Sequence, residues 1–327
     1  MKPKVFISRK IFPEAVEEIL KETDAVIWED EMPPPRETLL DKVKGVHGIL
    51  SLLTDKIDAE LMDIAGPQLK VISQIAVGFD NIDIKEATLR KIAVGNTPDV
   101  LTHTTADATF TLMLAAARRI IEGWKVVQEG RWRTWHPLHL LGQDVYGSTL
   151  GIIGMGRIGF EVARRSRGFD MEILYSDIVR REDLEQQIPM TYVDMDTLLK
   201  RSDFVTLHTI LDNSTYHLIS DAELSKMKPT SILVNASRGP IVDPKALYTA
   251  LKTGTITAAG LDVTEPEPIL PDDPLLTLDN CLIVPHIASA SVNTRAEMSR
   301  ISAQNLINGV KDEPLLTCVN PEIYKTK

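Results

Sequence analysis

Cysteine is scarce. Of 327 residues only Cys281 and Cys318 carry thiols, in no C-x-x-C pair, so neither a disulfide framework nor a zinc site is suggested and two buried, inert thiols are expected. Long apolar runs are missing as well: no stretch approaches the ~18 residues that a membrane span requires. Basic residues are in the minority, and a net charge of -10 argues against a phosphate-backbone partner such as nucleic acid. Any small anion must therefore be attracted locally. The opening "MKPKVFISRK" runs into a strand-like segment without the apolar core and cleavage site of a signal peptide, so a cytoplasmic location is expected.

What is present suits a globular enzyme. The chain is 43% apolar and 25% charged, and it is longer than one hydrophobic core normally serves, so two domains are expected. From residue 1 to about 97, short β-rich runs (KVFIS, AVIW, GILSL, KVISQI, IAVGN) alternate with amphipathic helical patterns such as Pro13 to Glu22 and Ile57 to Ile64. That alternation predicts a parallel sheet with crossover helices. A second series runs through TLGII, MEILYSD, SDFVTLH, SILVNASRG, TAAGLDV and CLIVPH, which predicts a second α/β domain. Between them a pattern from Thr104 to Ile121, apolar almost all round, reads as one buried helix, and Ser291 to Val310 reads as a final amphipathic helix.

The segment Gly151 to Gly159, "GIIGMGRIG", follows an apolar strand and precedes a helical pattern, which is the context a dinucleotide fingerprint requires. Gly154 suits the tight turn, Gly156 a close backbone approach to pyrophosphate, and Gly159 close helix–strand packing, with the helix N-terminus facing the phosphates. Asp177 closes the next strand, 18 residues after Gly159, where a carboxylate accepts from ribose hydroxyls and repels a 2′-phosphate. NAD is therefore favoured over NADP. Arg180 and Arg181 follow closely and keep NADP open should their loop bend inward; the plainer reading makes them solvated surface charges.

Ligands of an open parallel sheet bind outside the carboxyl ends of its strands. Four later strands end in His208, Arg238, Asp262 and His286, a convergence of polar groups that marks a reaction site. Arg238 has paired donors for a carboxylate or a carbonyl, against the plainer role of an ion pair with Glu265 or Asp243. His286 is the best-placed proton donor, and a neighbouring carboxylate, Glu265 or Glu267, would orient it. His47, His103 and His217 read as core histidines bonded to backbone carbonyls. His136 and His139 have no acid cluster beside them, so no metal is expected.

With Gly151 to Gly159, Asn235-Ala-Ser-Arg-Gly239, Asp262-Val263, Glu267-Pro268 and Pro285-His286 in this order, the chain resembles the NAD(P)-dependent D-2-hydroxyacid dehydrogenase family. It is closest to the glyoxylate/hydroxypyruvate reductase branch, through "SLLTDKID", "AVGFDNIDI", "NTPDVLT", "WHPLHLLGQDVYG" and "LTLDNCLIVPHIASAS". The resemblance implies two doubly wound parallel-sheet domains: a Rossmann nucleotide-binding domain, 101–287, inserted into a discontinuous flavodoxin-like substrate domain, 1–100 and 288–327. It implies reduction of a small 2-keto acid, glyoxylate or hydroxypyruvate, to the D-2-hydroxy acid. Phosphoglycerate, D-lactate, phosphite or bulkier 2-keto acids are the alternatives, and an NAD(H)-sensing interaction protein on the same scaffold is a further one. Arg238, Glu267 and His286 match the family's catalytic trio, with Glu267 at the acidic position. Cofactor contacts carry over to Thr105, Arg157, Ile158, His208, Asp262 and Ala288 beside the glycines and Asp177. Substrate contacts carry over to Leu53, Val77 and Gly78, and to Trp135 on a stretch that resembles the family's dimer arm, so a homodimer is implied. Ala288 stands where a glycine is common and Phe79 where a tyrosine is frequent.

Overall fold

A computed structural model describes residues 1–325. The chain divides into two units, Met1–Leu101 with the segment from Ala290 onward, and Thr102–Ser289. The second crossing falls two residues later than the expected 287/288 boundary. The reason is local: the N–H groups of Ile287 and Ala288 donate to Asp262 and hold both residues to the second unit.

In the first unit β1 (Lys4–Ile7), β2 (Asp24–Ile27), β3 (Gly48–Ser51), β4 (Val71–Gln74) and β5 (Ala93–Gly95) form one parallel sheet in the order β2-β1-β3-β4-β5. This is the flavodoxin-like order. Strand side chains alternate between faces, and both faces are covered. Phe6, Ile49 and Ile72 join one cluster with Leu61 and Met62 of the helix Ala59–Ala65, while Val5, Ile7, Leu50 and Val71 join the other. That second face is closed by the helix Val292–Val310, through Ala303, Leu306, Ile307 and Val310. The fit is tight, since a Cβ built on Gly309 would meet Val71 Cβ at 2.4 Å. The last part of the chain therefore completes a core begun by the first hundred residues.

In the second unit β6 (Thr149–Ile153), β7 (Glu172–Ser176), β8 (Thr191–Tyr192), β9 (Phe204–Leu207), β10 (Ile232–Asn235), β11 (Ala258–Leu261) and β12 (Cys281–Ile283) form a parallel sheet ordered β12-β11-β10-β9-β6-β7-β8. Counted from β6 this is the Rossmann order 3-2-1-4-5-6 with one further strand. Strand β8 was not expected; it has two residues, both exposed, so no apolar alternation announces it. One face buries Leu150, Ile152, Phe204 and Val234 with Phe110 and Val162, and the other buries Ile153, Val205 and Leu233 with Leu198 and Leu247.

The expected single helix over 104–121 is two helices, Thr102–Ala117 and Ile120–Gln128. Arg119 between them takes a left-handed φ of 51°, and the Ala117 carbonyl accepts from Gln143 N–H at 2.9 Å, which closes the first helix end. Helix starts elsewhere follow side-chain capping: Asp58 accepts from Leu61 N–H and Ser291 from Thr294 N–H. The thiols sit in different units; burial pushes Cys281 up to about 12 and raises Cys318 as well. Among the described residues no helix is long and apolar enough to cross a membrane.

Asn320 fastens the end of the chain to the first sheet. It is fully buried, accepts from Val94 N–H at 2.9 Å and donates to Ile92 O at 2.9 Å. Asn320→Ala strands both groups and is expected to cost about 2 kcal/mol, the penalty of a buried unsatisfied group. Denaturant unfolding followed by circular dichroism measures it, and an unchanged midpoint would refute the tie.

Candidate active site

Parallel register aligns the strand ends of the second unit. Ile153 pairs with Leu207, Leu207 with Asn235, Asn235 with Leu261, and Leu261 with Ile283. Whatever follows these residues emerges along one edge, with neighbouring strands about 4.8 Å apart. The Gly154 turn, His208, Arg238, Asp262 and His286 all do.

The turn after β6 leaves room for a ligand at one position only. Gly154 has φ 92°, and a Cβ there would lie 2.7 Å from His208 C and O, so only glycine lets the turn pack against the end of β9. A Cβ on Gly159 would lie 2.3 Å from Gly154 O, which seats the helix Arg157–Ser166 on the turn. Gly156 differs: nothing lies within 4 Å of its Cβ position, and as N-cap it supplies no side chain to the helix N–H groups. An open space before uncapped N–H groups and a helix N-terminus suits a phosphate. Arg157 begins that helix, and Ile158 packs against the core beneath it.

Asp177 follows β7 and accepts from Met155 N–H at 2.6 Å, so its carboxylate is tied to the glycine turn itself. The two arginines part: Arg180 turns to the helix that follows it, whereas Arg181 reaches the glycine turn. Arg180 pairs with Glu185 at 2.8 Å, and Arg181 pairs with Asp183 at 2.8 Å while donating to Met155 O at 3.0 Å. Thr105 is buried on the helix Thr102–Ala117.

His208 ends β9 with its Nε2 buried and without a hydrogen-bond partner. Burial drives its pKa down to about 3, so the ring is neutral at ordinary pH. After β10 the buried Asn235 organises the loop that carries Arg238: it donates to Arg238 O at 2.8 Å and accepts from Ser237 N–H at 3.1 Å. The Arg238 guanidinium donates to Ser237 O at 2.8 Å. Asn235 thus holds the Arg238 loop in place, a support that an Asn at a strand end does not signal by itself.

Asp262, after β11, is 2% exposed and its carboxylate accepts from Ile287 N–H at 2.7 Å and from Ala288 N–H at 3.0 and 3.1 Å. Burial raises its pKa, against those N–H bonds and the nearby His286. Ala288 is itself buried with its N–H committed to Asp262. His286 sits between them in sequence with φ 52°, its N–H donating to Asp262 O at 2.8 Å. Its ring Nδ1 meets Glu267 Oε1 at 2.5 Å, leaving the opposite nitrogen, Nε2, for proton exchange.

The structure thus separates the two glutamates. Glu267 holds His286, and Glu265 holds His217 Nε2 at 2.7 Å. His217 is therefore not a core histidine on a backbone carbonyl; it stacks on Tyr216 with ring centroids 4.0 Å apart. His103 is exposed and pairs with Glu161 at 3.1 Å, and His47 Nδ1 accepts from Lys4 N–H, so those two readings are corrected too. Trp135 is 78% exposed on a stretch without regular structure, with Trp132, Leu138 and Leu141 exposed beside it. In the first unit Leu53 follows β3 and Val77-Gly78 follow β4, its neighbour in the sheet; Asn96 donates to Val77 O at 2.9 Å. Among the described residues no group of three or more His, Cys, Asp or Glu gathers to hold a metal.

Known proteins match this architecture. Residues 110–288 match the family model described as the D-isomer specific 2-hydroxyacid dehydrogenase, NAD binding domain. A glyoxylate reductase of Korarchaeum cryptofilum is 52% identical over 100% of this chain and 98% of its own. The crystal structure of a glyoxylate reductase from Paecilomyes thermophila superimposes with a TM-score of 0.87 at 33% identity, covering 98% of this chain and 99% of that one. An NADPH-dependent glyoxylate/hydroxypyruvate reductase of Sinorhizobium meliloti, solved with NADP and malonate, gives a TM-score of 0.84 at 33% identity, covering 100% of this chain and 99% of that one. Sequence kinship along the whole length and a shared architecture place the chain in the D-isomer specific 2-hydroxyacid dehydrogenase family.

Proposed function

We propose that the chain reduces glyoxylate or hydroxypyruvate to the D-2-hydroxy acid, with NADH as the preferred cofactor. The observation that carries the reading is the 2.5 Å contact between His286 Nδ1 and Glu267, on a sheet edge that also presents Arg238 and the Gly154–Gly159 turn. When bound, the nicotinamide cofactor supplies the hydride that the keto carbon accepts. The chain's residues handle the rest. Glu267 fixes the ring so that Nε2 carries the proton that the substrate oxygen takes up. Arg238, permanently charged and two strands away, takes the substrate carboxylate and polarises the carbonyl through its paired donors. Leu53, Val77 and Gly78 remain substrate contacts on the strength of the family likeness, and Asp262, His208, Thr105, Arg157 and Ile158 remain cofactor contacts on the same ground.

The preference for NADH rests on Asp177. Exposed ion pairs such as Arg180–Glu185 are worth little, so they alone would not keep a 2′-phosphate out. A carboxylate tied to the glycine turn would repel it, and Asp177 is so tied. The NADPH dependence in the name of the Sinorhizobium meliloti reductase belongs to that protein. The exposed indoles Trp132 and Trp135, with Leu138 and Leu141, support a homodimer, since isolated chains rarely leave such a patch in water. Light scattering that returned the mass of one chain would refute the dimer.

Three measurements test the reading. In a spectrophotometric panel of glyoxylate, hydroxypyruvate, pyruvate and phenylpyruvate with NADH and with NADPH, glyoxylate or hydroxypyruvate with NADH should turn over best. No turnover with any acid, alongside normal NADH binding, would favour a cofactor-sensing protein instead. His286→Ala should lower kcat by at least the ~10²-fold typical of a lost general acid, with NADH affinity near normal; an equal loss of NADH binding would contradict the role. Asp177→Ala should shift the NADH:NADPH ratio toward NADPH, and an unchanged ratio would remove Asp177 as the discriminator.

A further inference from the structure

We propose that His217 is a positioning residue for the reduction: by holding Glu265 it holds the Thr264–Pro268 segment at the place where Glu267 meets His286. The proposal rests on the assignment of His286 as proton donor made above. The segment between Asp262 and Ile269 has no regular secondary structure, and Pro266 and Pro268 offer it no N–H. A glutamate on such a segment needs an external hold if it is to stay within hydrogen-bonding distance of one ring nitrogen.

Two contacts provide it. At the start, a Cβ on Gly239 would lie 1.9 Å from Thr264 O, so the backbone after Arg238 and the backbone before Glu265 are in direct contact. One residue further, Glu265 takes a different partner from Glu267: it meets His217 Nε2 at 2.7 Å, with Tyr216 OH donating to its other oxygen at 3.3 Å. His217 is itself immobilised. Its N–H donates to Pro240 O at 2.8 Å, its ring stacks on Tyr216, and its Nδ1 lies 3.8 Å from Asp243, which caps the helix Pro244–Thr253. The groups facing His217 are thus Glu265, which lies two residues before Glu267, Asp243, on the segment that follows Arg238, and its own chain neighbour Tyr216. The groups facing His286 are Glu267 and Asp262.

The two histidine–glutamate pairs therefore share one short segment, with Pro266 between the glutamates. Glu267 holds the histidine proposed as proton donor, whereas Glu265 holds a histidine with no assigned part in the chemistry, which leaves anchoring as what that pair does for Glu267. A shift of Glu267 on the scale of 1 Å would be enough to cost up to ~10²-fold in rate.

The experiment compares the pH dependence of kcat for wild type, His217→Ala, His217→Gln and Glu265→Ala with glyoxylate and NADH. His217→Ala and Glu265→Ala should each lower kcat about tenfold, inside the range a small misplacement allows. They should also move the alkaline limb of the profile to lower pH, because a less engaged carboxylate favours the charged imidazole less. NADH affinity, read by fluorescence, should stay within about twofold, since neither residue adjoins the glycine turn. His217→Gln keeps an N–H where Nε2 stands and should restore the wild-type profile. A limb that stays at the wild-type pH in both alanine variants overturns the proposal, even where turnover drops through poorer folding. If His217→Ala fails to fold, Glu265→Ala decides alone. A wild-type protein that turns over no acid overturns the functional reading and this inference with it, whereas an active wild type with unmoved variants sinks this inference only.

Discussion

Taking a carboxylate out of water is costly, and the second unit does so at Asp262. The cost shows in the direction of its titration, which burial raises. What offsets it is the backbone just beyond β12: Ile287 and Ala288 both donate into the carboxylate, and His286 N–H donates to the Asp262 carbonyl. Those bonds run in both directions. They make the buried acid tolerable, and they also clamp a histidine in a left-handed conformation that β-region backbone would otherwise replace. With the clamp in place the imidazole has one orientation relative to β11, and the ladder from β11 to β10 passes that orientation on to Arg238. Remove the acid and two donors, the Ile287 and Ala288 N–H groups, lose their partner at once, so a small apolar residue in its place would loosen the backbone that flanks the ring.

Much of this was legible from residue order alone, because the rule that ligands gather at the carboxyl edge of a parallel sheet needs only strand ends. Reading His208, Arg238, Asp262 and His286 off the ends of four apolar runs located the row, and the fingerprint located the turn beside it. The two α/β layers were equally plain, since strands such as Val5-Phe6-Ile7 and Ile49-Leu50 are apolar throughout and bury both faces. What periodicity could not reveal were interactions made by loops. His217 and His286 both adopt a left-handed φ, which the identity of a histidine does not signal. The partition of Glu265 and Glu267 between two rings depends on which way a proline-rich segment turns, and composition left both glutamates open for His286. The helix break at Arg119 arises from Gln143, twenty-odd residues downstream, capping Ala117. Strand β8 is too short and too exposed to have a pattern.

The same local geometry answers the electrostatic question that composition raised. A chain of net charge -10 is proposed to attract an anionic keto acid and an anionic cofactor, with Asp262, Glu265 and Glu267 all near the reacting edge. At physiological salt the Debye length is only about 8 Å, so the charge of the distant surface is largely screened and the nearest groups decide. Of the three acids, Asp262 accepts from backbone N–H donors, Glu265 is hydrogen-bonded to His217 and Tyr216, and Glu267 lies behind the imidazole, against Nδ1. What an approaching carboxylate would meet first is the other nitrogen of that ring, the Arg238 guanidinium and, two strands over from Arg238, the helix N-terminus at Gly156. The acids are arranged so that each spends its charge on a protein group, and the positive ends of those groups are what the edge presents. This arrangement also bears on the second histidine–glutamate pair so close to the first: hydrogen bonds from His217 and Tyr216 engage both Glu265 oxygens, so that carboxylate is held by protein donors while it anchors the segment.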